Sequence, residues 1–222
     1  FRPDLAVKTE DGKEVWKDYK GISWIDPGSR EYWDYIISLS KEARKTGFDE
    51  INFDYIRFPS DGNMEDISYP WSTTTPKAEV LEEFFNYLHN GLSGTGLKTS
   101  ADLFGMTTTA TGDMGIGQVL EKTLPYFDYV SPMVYPSHYP PTFQSFQNPE
   151  AHPYDIVHFA LEGAVKRAEN ASTTPNKIRP WLQDFGLKMN YGPDEVKAQI
   201  KSTNDVGLSS WLLWSASNKY TQ

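Results

Sequence analysis

The sequence lacks cysteine entirely, and this absence excludes disulfide frameworks, thiol catalysis and zinc sites with cysteine ligands. It also lacks any apolar run near the ~18 residues that a membrane span needs, and no signal peptide is visible at its start. The chain begins at Phe1 rather than at Met, so we expect a processed or truncated product.

Basic residues are also scarce, with 21 Lys and Arg against 30 Asp and Glu, which gives a formal net charge of −9. Nucleic-acid binders usually carry a basic footprint, so a nucleic-acid partner is not expected. The 4 histidines are scattered without metal-ligand spacing. The Gly-rich stretch at 107–117 matches neither a P-loop nor a dinucleotide fingerprint. The sequence therefore predicts no metal and no cofactor.

Aromatic residues, by contrast, are abundant, with 7 Trp, 13 Tyr and 12 Phe. Most large aromatic rings in proteins serve the core, but their faces also stack on sugar rings. The excess fits a protein that handles carbohydrate.

Apolar runs of strand length alternate with helical patterns along the chain. The predicted helices are 24–47, 77–90, 116–124, 154–169 and 193–203. The predicted strands are 51–57, 97–105, 127–136, 177–186 and 207–218. This alternation predicts a parallel sheet with right-handed crossovers, arranged as a TIM (β/α)8-type barrel.

We expect one domain over 1–222, with a hairpin at 1–20 and βα units at 24–222. Because a complete barrel has about eight strands, the first βα units are expected to be missing from this chain.

Polar side chains cluster where these strands end, and the loops that follow the strands are longer than those that precede them. Barrel active sites lie at this carboxyl end. Asp54 follows a buried run in "INFDYIRFP", and Arg57 lies close enough in sequence to favour its ionised form. We interpret Asp54 as a nucleophile or base, with a structural Asp–Arg pair as the alternative.

The next strand ends in "SADLFG", where Asp102 has apolar neighbours that are expected to raise its pKa, as a general acid requires. A capping role is the alternative, and Asp184 in "WLQDF" is a rival for the acid. Further substrate contacts are predicted at strand ends, namely Arg57, Tyr135, His138, Trp181, Gln183, Asp184 and Trp214. Trp211 and Trp214 are an odd number of positions apart, so at most one of them faces the barrel interior.

The segments "WIDPGSREYWDYIISLSKEARKTGFDEINFDYIRFPS", "SADLFG", "IGQ", "VSPMVYPSHY" and "IRPWLQDF" resemble a largely uncharacterised bacterial family of glycoside-hydrolase domains. That family is similar to the alpha-amylase-like and chitinase-like (β/α)8 barrels. The resemblance implies a carbohydrate substrate and an extracellular or cell-surface location. It also implies about three further βα units before Phe1, so a partner chain or a preceding segment would complete the barrel.

A more distant likeness links 49–56 to the chitinase pattern D-x-x-D-x-D-x-E. The chain has Asp49, Asn52 and Asp54, but Ile56 stands where that pattern has its catalytic glutamate. The substrate-assisted mechanism is therefore not carried over.

Two hypotheses of different classes remain open. The first is a glycoside hydrolase that uses an Asp pair, Asp54 and Asp102. The second is a catalytically silent barrel that binds cell-wall or exopolysaccharide glycans. A non-hydrolytic enzyme on the same barrel is a third alternative, since fold does not fix function.

Overall fold

The computed structural model describes residues 2–221, in which α-helices alternate with β-strands. The helices are α1 (Arg30–Lys45), α2 (Lys77–Leu92), α3 (Leu120–Thr123), α4 (Pro153–Asn170) and α5 (Pro193–Asp205). The strands are β1 (Glu50–Phe53), β2 (Lys98–Phe104), β3 (Tyr129–Met133), β4 (Trp181–Gln183) and β5 (Leu212–Trp214). The start of the chain at Phe1, from which we expected a processed product, lies outside the described residues.

The strands form one sheet in the order β1-β2-β3-β4-β5. The pairs β2–β3, β3–β4 and β4–β5 are parallel. Parallel strands in chain order, joined by helices, are the arrangement of a (β/α) barrel. Among the described residues the sheet runs from β1 to β5, so the prediction of an α/β fold of the barrel type is confirmed.

The strand β1 is shorter than the predicted 51–57, because the backbone turns sharply after Phe53. The backbone N–H of Tyr55 donates to Asp54 Oδ1 at 2.6 Å, and Tyr55 has a left-handed φ of 56°. An extended strand cannot pass through such a residue. Asp54 is therefore the first residue after β1, and Arg57 lies in the loop beyond it.

The chain divides into two compact units. The first contains the residues up to Thr99 together with Gly112–Phe127. It includes the predicted hairpin, in which Lys8 pairs antiparallel with Val15 around a turn where Gly12 has a φ of 73°. Its helices α1 and α2 pack together around an aromatic core, with the rings of Trp33 and Phe84 centred 5.4 Å apart.

The second unit contains Ser100–Thr111 and the residues from Asp128 onward, and α4 packs against α5 within it. The helix α4 also holds the loop that follows β2. Arg167 Nη1 donates to the backbone carbonyl of Ala110 at 2.9 Å and to that of Thr107. The predicted helices at 77–90, 154–169 and 193–203 correspond closely to α2, α4 and α5. Within the described residues, no helix is both long and apolar enough to cross a membrane.

Candidate active site

The end of β1 presents Asp54 to solvent at the rim of a cleft in the first unit. The cleft has a volume of about 920 Å³, a size typical of small-molecule sites. Its walls combine aromatic rings with polar groups, and they include Trp24, Tyr32, Asn52, Asp54, Tyr55, Arg57 and Asp61. The carboxylate can accept hydrogen bonds from a ligand in this cleft, and the aromatic rings offer apolar faces for stacking.

Arg57 forms one wall of this cleft rather than extending the strand. Its guanidinium lies 4.7 Å from the centre of the Trp24 ring, and Nη1 donates to the backbone carbonyl of Phe58 at 2.9 Å. Burial lowers the pKa of Arg57, while Tyr55, Asp61 and Asp54 oppose that shift. Arginine keeps its charge in proteins, so Arg57 supplies a fixed cation near Asp54.

The second unit gathers several of the other predicted residues on one face of its strands. Asp102 is 5% exposed, and the indole Nε1 of Trp181 donates to Asp102 Oδ1 at 2.8 Å. The rings of Trp181 and Trp214 meet edge to face, with centroids 6.0 Å apart. The register explains this grouping, because Asp102 pairs with Ser131, Met133 with Trp181, and Gln183 with Trp214. Paired residues of neighbouring strands, and residues two apart on one strand, point to the same face of a sheet.

Tyr135 and His138 lie directly after β3 and form an aromatic cluster with Phe185. The ring centroids of Tyr135 and His138 are 5.3 Å apart, and those of His138 and Phe185 are 6.0 Å apart. The His138 Nδ1 lies 2.9 Å from Ser137 Oγ. Burial lowers the pKa of His138, although the charge of Glu150 opposes this. The lowered pKa favours the neutral imidazole, in which one ring nitrogen donates and the other accepts.

Gln183 is fully buried, and its side chain holds loops together instead of facing a ligand. Its Oε1 accepts from the Ser137 N–H at 3.0 Å, and its Nε2 donates to the Phe185 carbonyl at 2.7 Å. The same Nε2 donates to Glu150 Oε1 at 3.3 Å. The amide of Gln183 has these partners within the protein, and its predicted substrate contact stays a prediction.

Glu150 is 1% exposed and was not found by sequence reasoning. Its Oε1 accepts from the Leu187 N–H at 2.7 Å, and its Oε2 accepts from the Lys188 N–H at 2.8 Å. The carboxylate therefore anchors the loop after β4, which carries Phe185. Its only signal in the sequence was an acidic residue within an otherwise neutral stretch, "FQNPEAHP".

Asp184 follows β4 directly, but its carboxylate is 5% exposed and is engaged by the distant residue Thr221. The Thr221 N–H donates to Oδ2 at 2.7 Å, and its hydroxyl donates to Oδ1 at 2.5 Å. These contacts join Asp184 to the segment at Thr221, and the choice between Asp102 and Asp184 as general acid stays a prediction.

The structure thus places the two predicted carboxylates, Asp54 and Asp102, in different local groups. Asp54 and Arg57 line the cleft of the first unit. Asp102, Trp181 and Trp214 form one connected group of the second unit. Sequence reasoning missed Trp24 and Tyr55 as cleft residues, since both are aromatic residues in apolar surroundings that resemble core positions. No group of three or more His, Asp or Glu is arranged to hold a metal ion within 2–221.

Comparison with known proteins identifies the relatives of this chain. The family model described as "Putative glycosyl hydrolase domain" matches residues 1–220. None of the curated proteins matches the chain.

Three solved structures have a similar fold. The PgaB (BpsB) glycoside hydrolase domain from Bordetella bronchiseptica has a TM-score of 0.66 at 14% identity, over 95% of this chain and 64% of that one. The spore cortex-lytic enzyme SleL of Bacillus megaterium QM B1551 has a TM-score of 0.56 at 14% identity, over 88% of this chain and 52% of that one. Aspergillus fumigatus Ega3, in complex with galactosamine, has a TM-score of 0.56 at 10% identity, over 100% of this chain and 69% of that one. The chain therefore spans about half to two thirds of the length of these proteins, and the likeness concerns the fold.

Proposed function

The chain belongs to the glycosyl hydrolase domain family whose model it matches, and we propose that it cleaves a poly- or oligosaccharide by a two-carboxylate mechanism. The observation that carries this proposal is Asp54. It is an exposed carboxylate at the carboxyl end of a parallel strand, on the rim of a cleft with aromatic walls. Glycosidases of this kind use one carboxyl group as acid and another as nucleophile or base.

We assign Asp54 the role of nucleophile or base. Its Oδ1 accepts the Tyr55 N–H, and the cation of Arg57 lies in the same cleft. A nucleophile or base must be charged when it attacks carbon or accepts a proton from water, and the hydrogen bond from Tyr55 holds the carboxylate at the rim of the cleft.

We assign Asp102 the role of general acid. Its burial disfavours the charged form, as an acid that must hold a proton requires. Trp181 donates to Oδ1, and an indole N–H can only donate. That hydrogen bond holds Oδ1 of the carboxyl group in a fixed position beside Trp181.

The experiment compares three Asp→Asn variants on a panel of polysaccharides, with new reducing ends and binding measured in parallel. Asp54→Asn should keep the fold and lose turnover by several orders of magnitude. Asp102→Asn should lose turnover mainly on substrates with poor leaving groups, because good leaving groups need no protonation. Asp49→Asn is the matched control, since Asp49 precedes the same strand at its opposite end and pairs with Arg44 at 2.8 Å.

Activity of Asp54→Asn within about tenfold of the parent would remove Asp54 from the mechanism. Binding by the parent without new reducing ends would instead support the silent, glycan-binding alternative. An equal loss for Asp102→Asn on all substrates would assign Asp102 a structural role.

We also propose an extracellular or cell-surface location, and a partner chain or preceding segment that pairs with β1. Among the described residues the sheet order ends at β1, and proteins usually cover the outer edge of a sheet. Backbone amides of Glu50–Phe53 should exchange more slowly in a polypeptide that carries further βα units than in this chain. Equal exchange rates would argue against such a cover.

A further inference from the structure

Tyr55 has a backbone conformation that tyrosine rarely adopts. Its φ of 56° lies in the left-handed region. Among residues other than glycine, Asn, Asp and His tolerate that region best, and for a bulky side chain it is an outlier. The conformation is therefore strained.

Two hydrogen bonds flank the strained residue and fix it in place. The Tyr55 N–H donates to Asp54 Oδ1 at 2.6 Å, and the Tyr55 carbonyl accepts from the Arg57 N–H at 2.9 Å. The turn thereby holds the Tyr55 backbone beside the Asp54 carboxylate.

The strain is not offset by burial of the ring, because the Tyr55 side chain is among the most exposed large hydrophobic groups of the described chain, with 68% of the residue exposed. The ring stands edge to face against Trp24, with centroids 6.0 Å apart and an interplanar angle of 62°. The guanidinium of Arg57 lies 4.7 Å from the centre of the Trp24 ring and 5.4 Å from that of the Tyr55 ring, and Tyr55 is the more exposed of the two aromatic residues. Strained backbone conformations cluster at functional sites.

We propose that Tyr55, supported by Trp24, is an aromatic platform that binds a pyranose ring of the substrate beside the Asp54 carboxylate. A pyranose whose C–H groups form an apolar face stacks on an aromatic ring. The polar groups of Asn52, Asp54 and Asp61 line the same cleft and can bind the hydroxyl groups of that sugar. The placement beside a reacting centre depends on the proposed hydrolase function, whereas the platform itself requires only that the cleft binds a glycan.

Three variants separate the ring from the strain. Tyr55→Phe keeps both, Tyr55→Ala removes the ring and keeps a Cβ in the strained conformation, and Tyr55→Gly removes both. The dissociation constant is measured by calorimetry for gluco-, galacto- and manno-configured pentasaccharides, with and without N-acetyl groups, and the melting temperature is measured for each variant.

We expect Tyr55→Phe to bind within about twofold of the parent, and Tyr55→Ala and Tyr55→Gly to bind at least about tenfold more weakly. Tyr55→Gly should melt at a higher temperature than Tyr55→Ala, because glycine adopts positive φ without a steric penalty. Unchanged affinity in Tyr55→Ala, absence of binding to the whole panel by the parent, or a lower melting temperature in Tyr55→Gly would each overturn the proposal.

The outcomes also distinguish this proposal from the hydrolase function. Binding that depends on Tyr55 without any hydrolysis by the parent would support the platform and reject the enzyme. Hydrolysis that depends on Asp54, with KM and affinity unchanged in Tyr55→Ala, would support the enzyme and reject the platform.

Discussion

The buried Glu150 offers a direct test of how the loop after β4 is held. Its carboxylate accepts hydrogen bonds from the backbone N–H groups of Leu187 and Lys188, one on each oxygen. Glu150→Gln keeps the volume of the side chain, so it creates no cavity. It must nevertheless turn an NH₂ group toward one of the two N–H donors, and that donor loses its acceptor.

The expected loss of stability follows from the same two contacts. A hydrogen bond to a charged group contributes about 1.5–3 kcal/mol, and a stranded buried donor is unfavourable by about 1–3 kcal/mol. Both bonds are only partly buried, so water can reach the stranded N–H and the lower half of these ranges applies. We therefore expect a local loss of about 2 kcal/mol.

Hydrogen exchange monitored by mass spectrometry measures this local loss of stability in the peptides that cover the loop. A local loss of that size corresponds to exchange about 30-fold faster in peptides that cover the loop from Phe185 to Tyr191. Peptides from α2 should be unchanged. The matched control is Glu169→Gln, an exposed residue of α4, for which a surface substitution predicts a change of about 0.5 kcal/mol or less.

Unchanged exchange in the loop of Glu150→Gln would refute the anchoring role. Faster exchange over the whole second unit would instead show that Glu150 supports the unit as a whole. Equal changes in the hydrogen-exchange rate of the loop for Glu150→Gln and Glu169→Gln would show that the buried hydrogen bonds of Glu150 do not stabilise the loop.

Three further predictions concern the other groups of the second unit. Trp181→Phe removes the hydrogen bond to Asp102 but keeps an aromatic ring, so we expect a lower kcat, a nearly unchanged KM and an altered pH profile; an unchanged profile would show that the hydrogen bond does not position the acid. Burial holds the pKa of His138 below its ordinary 6.5, so the unfolded chain binds that proton more readily than the folded chain. The stabilising contribution of the neutral ring is therefore lost as pH falls below 6.5. An NMR titration should find the lowered pKa, and a value of 6.5 or above would contradict the prediction. Asp184→Asn should release the segment that ends at Thr221, seen as faster hydrogen exchange there, while turnover falls far less than for Asp102→Asn; the reverse result would favour Asp184 as the acid.

The order of the parallel strands and the polar residues at their ends were predictable because they depend on local sequence patterns. Apolar runs alternate with amphipathic stripes, and this alternation predicted the order of β1 to β5 and the main helices. Polar residues at the ends of those runs then indicated Asp54 and Asp102. The placement of Trp181 and Trp214 on the face of Asp102 also follows from strand alternation once the register is known.

The remaining features depend on contacts that sequence spacing does not reveal. Glu150 anchors residues 37 and 38 positions away, and Asp184 is bonded by Thr221, 37 positions further along the chain. The left-handed turn at Tyr55 ends β1 early, although tyrosine favours strands. Local propensity therefore extended the strand through Arg57, whereas the hydrogen bond from Tyr55 to Asp54 ends it at Phe53.

The way in which two strand-end loops are held has a consequence for how this protein can diversify. Arg167 binds the loop after β2 through the carbonyls of Thr107 and Ala110, and Glu150 binds the loop after β4 through the N–H groups of Leu187 and Lys188. Every residue except proline offers the same N–H group, and every residue offers the same carbonyl. Substitutions in these loops can therefore change the side chains that contact a ligand without changing the path of the loop backbone. Natural variation should concentrate in the loop side chains, and Arg167 and Glu150 should vary least.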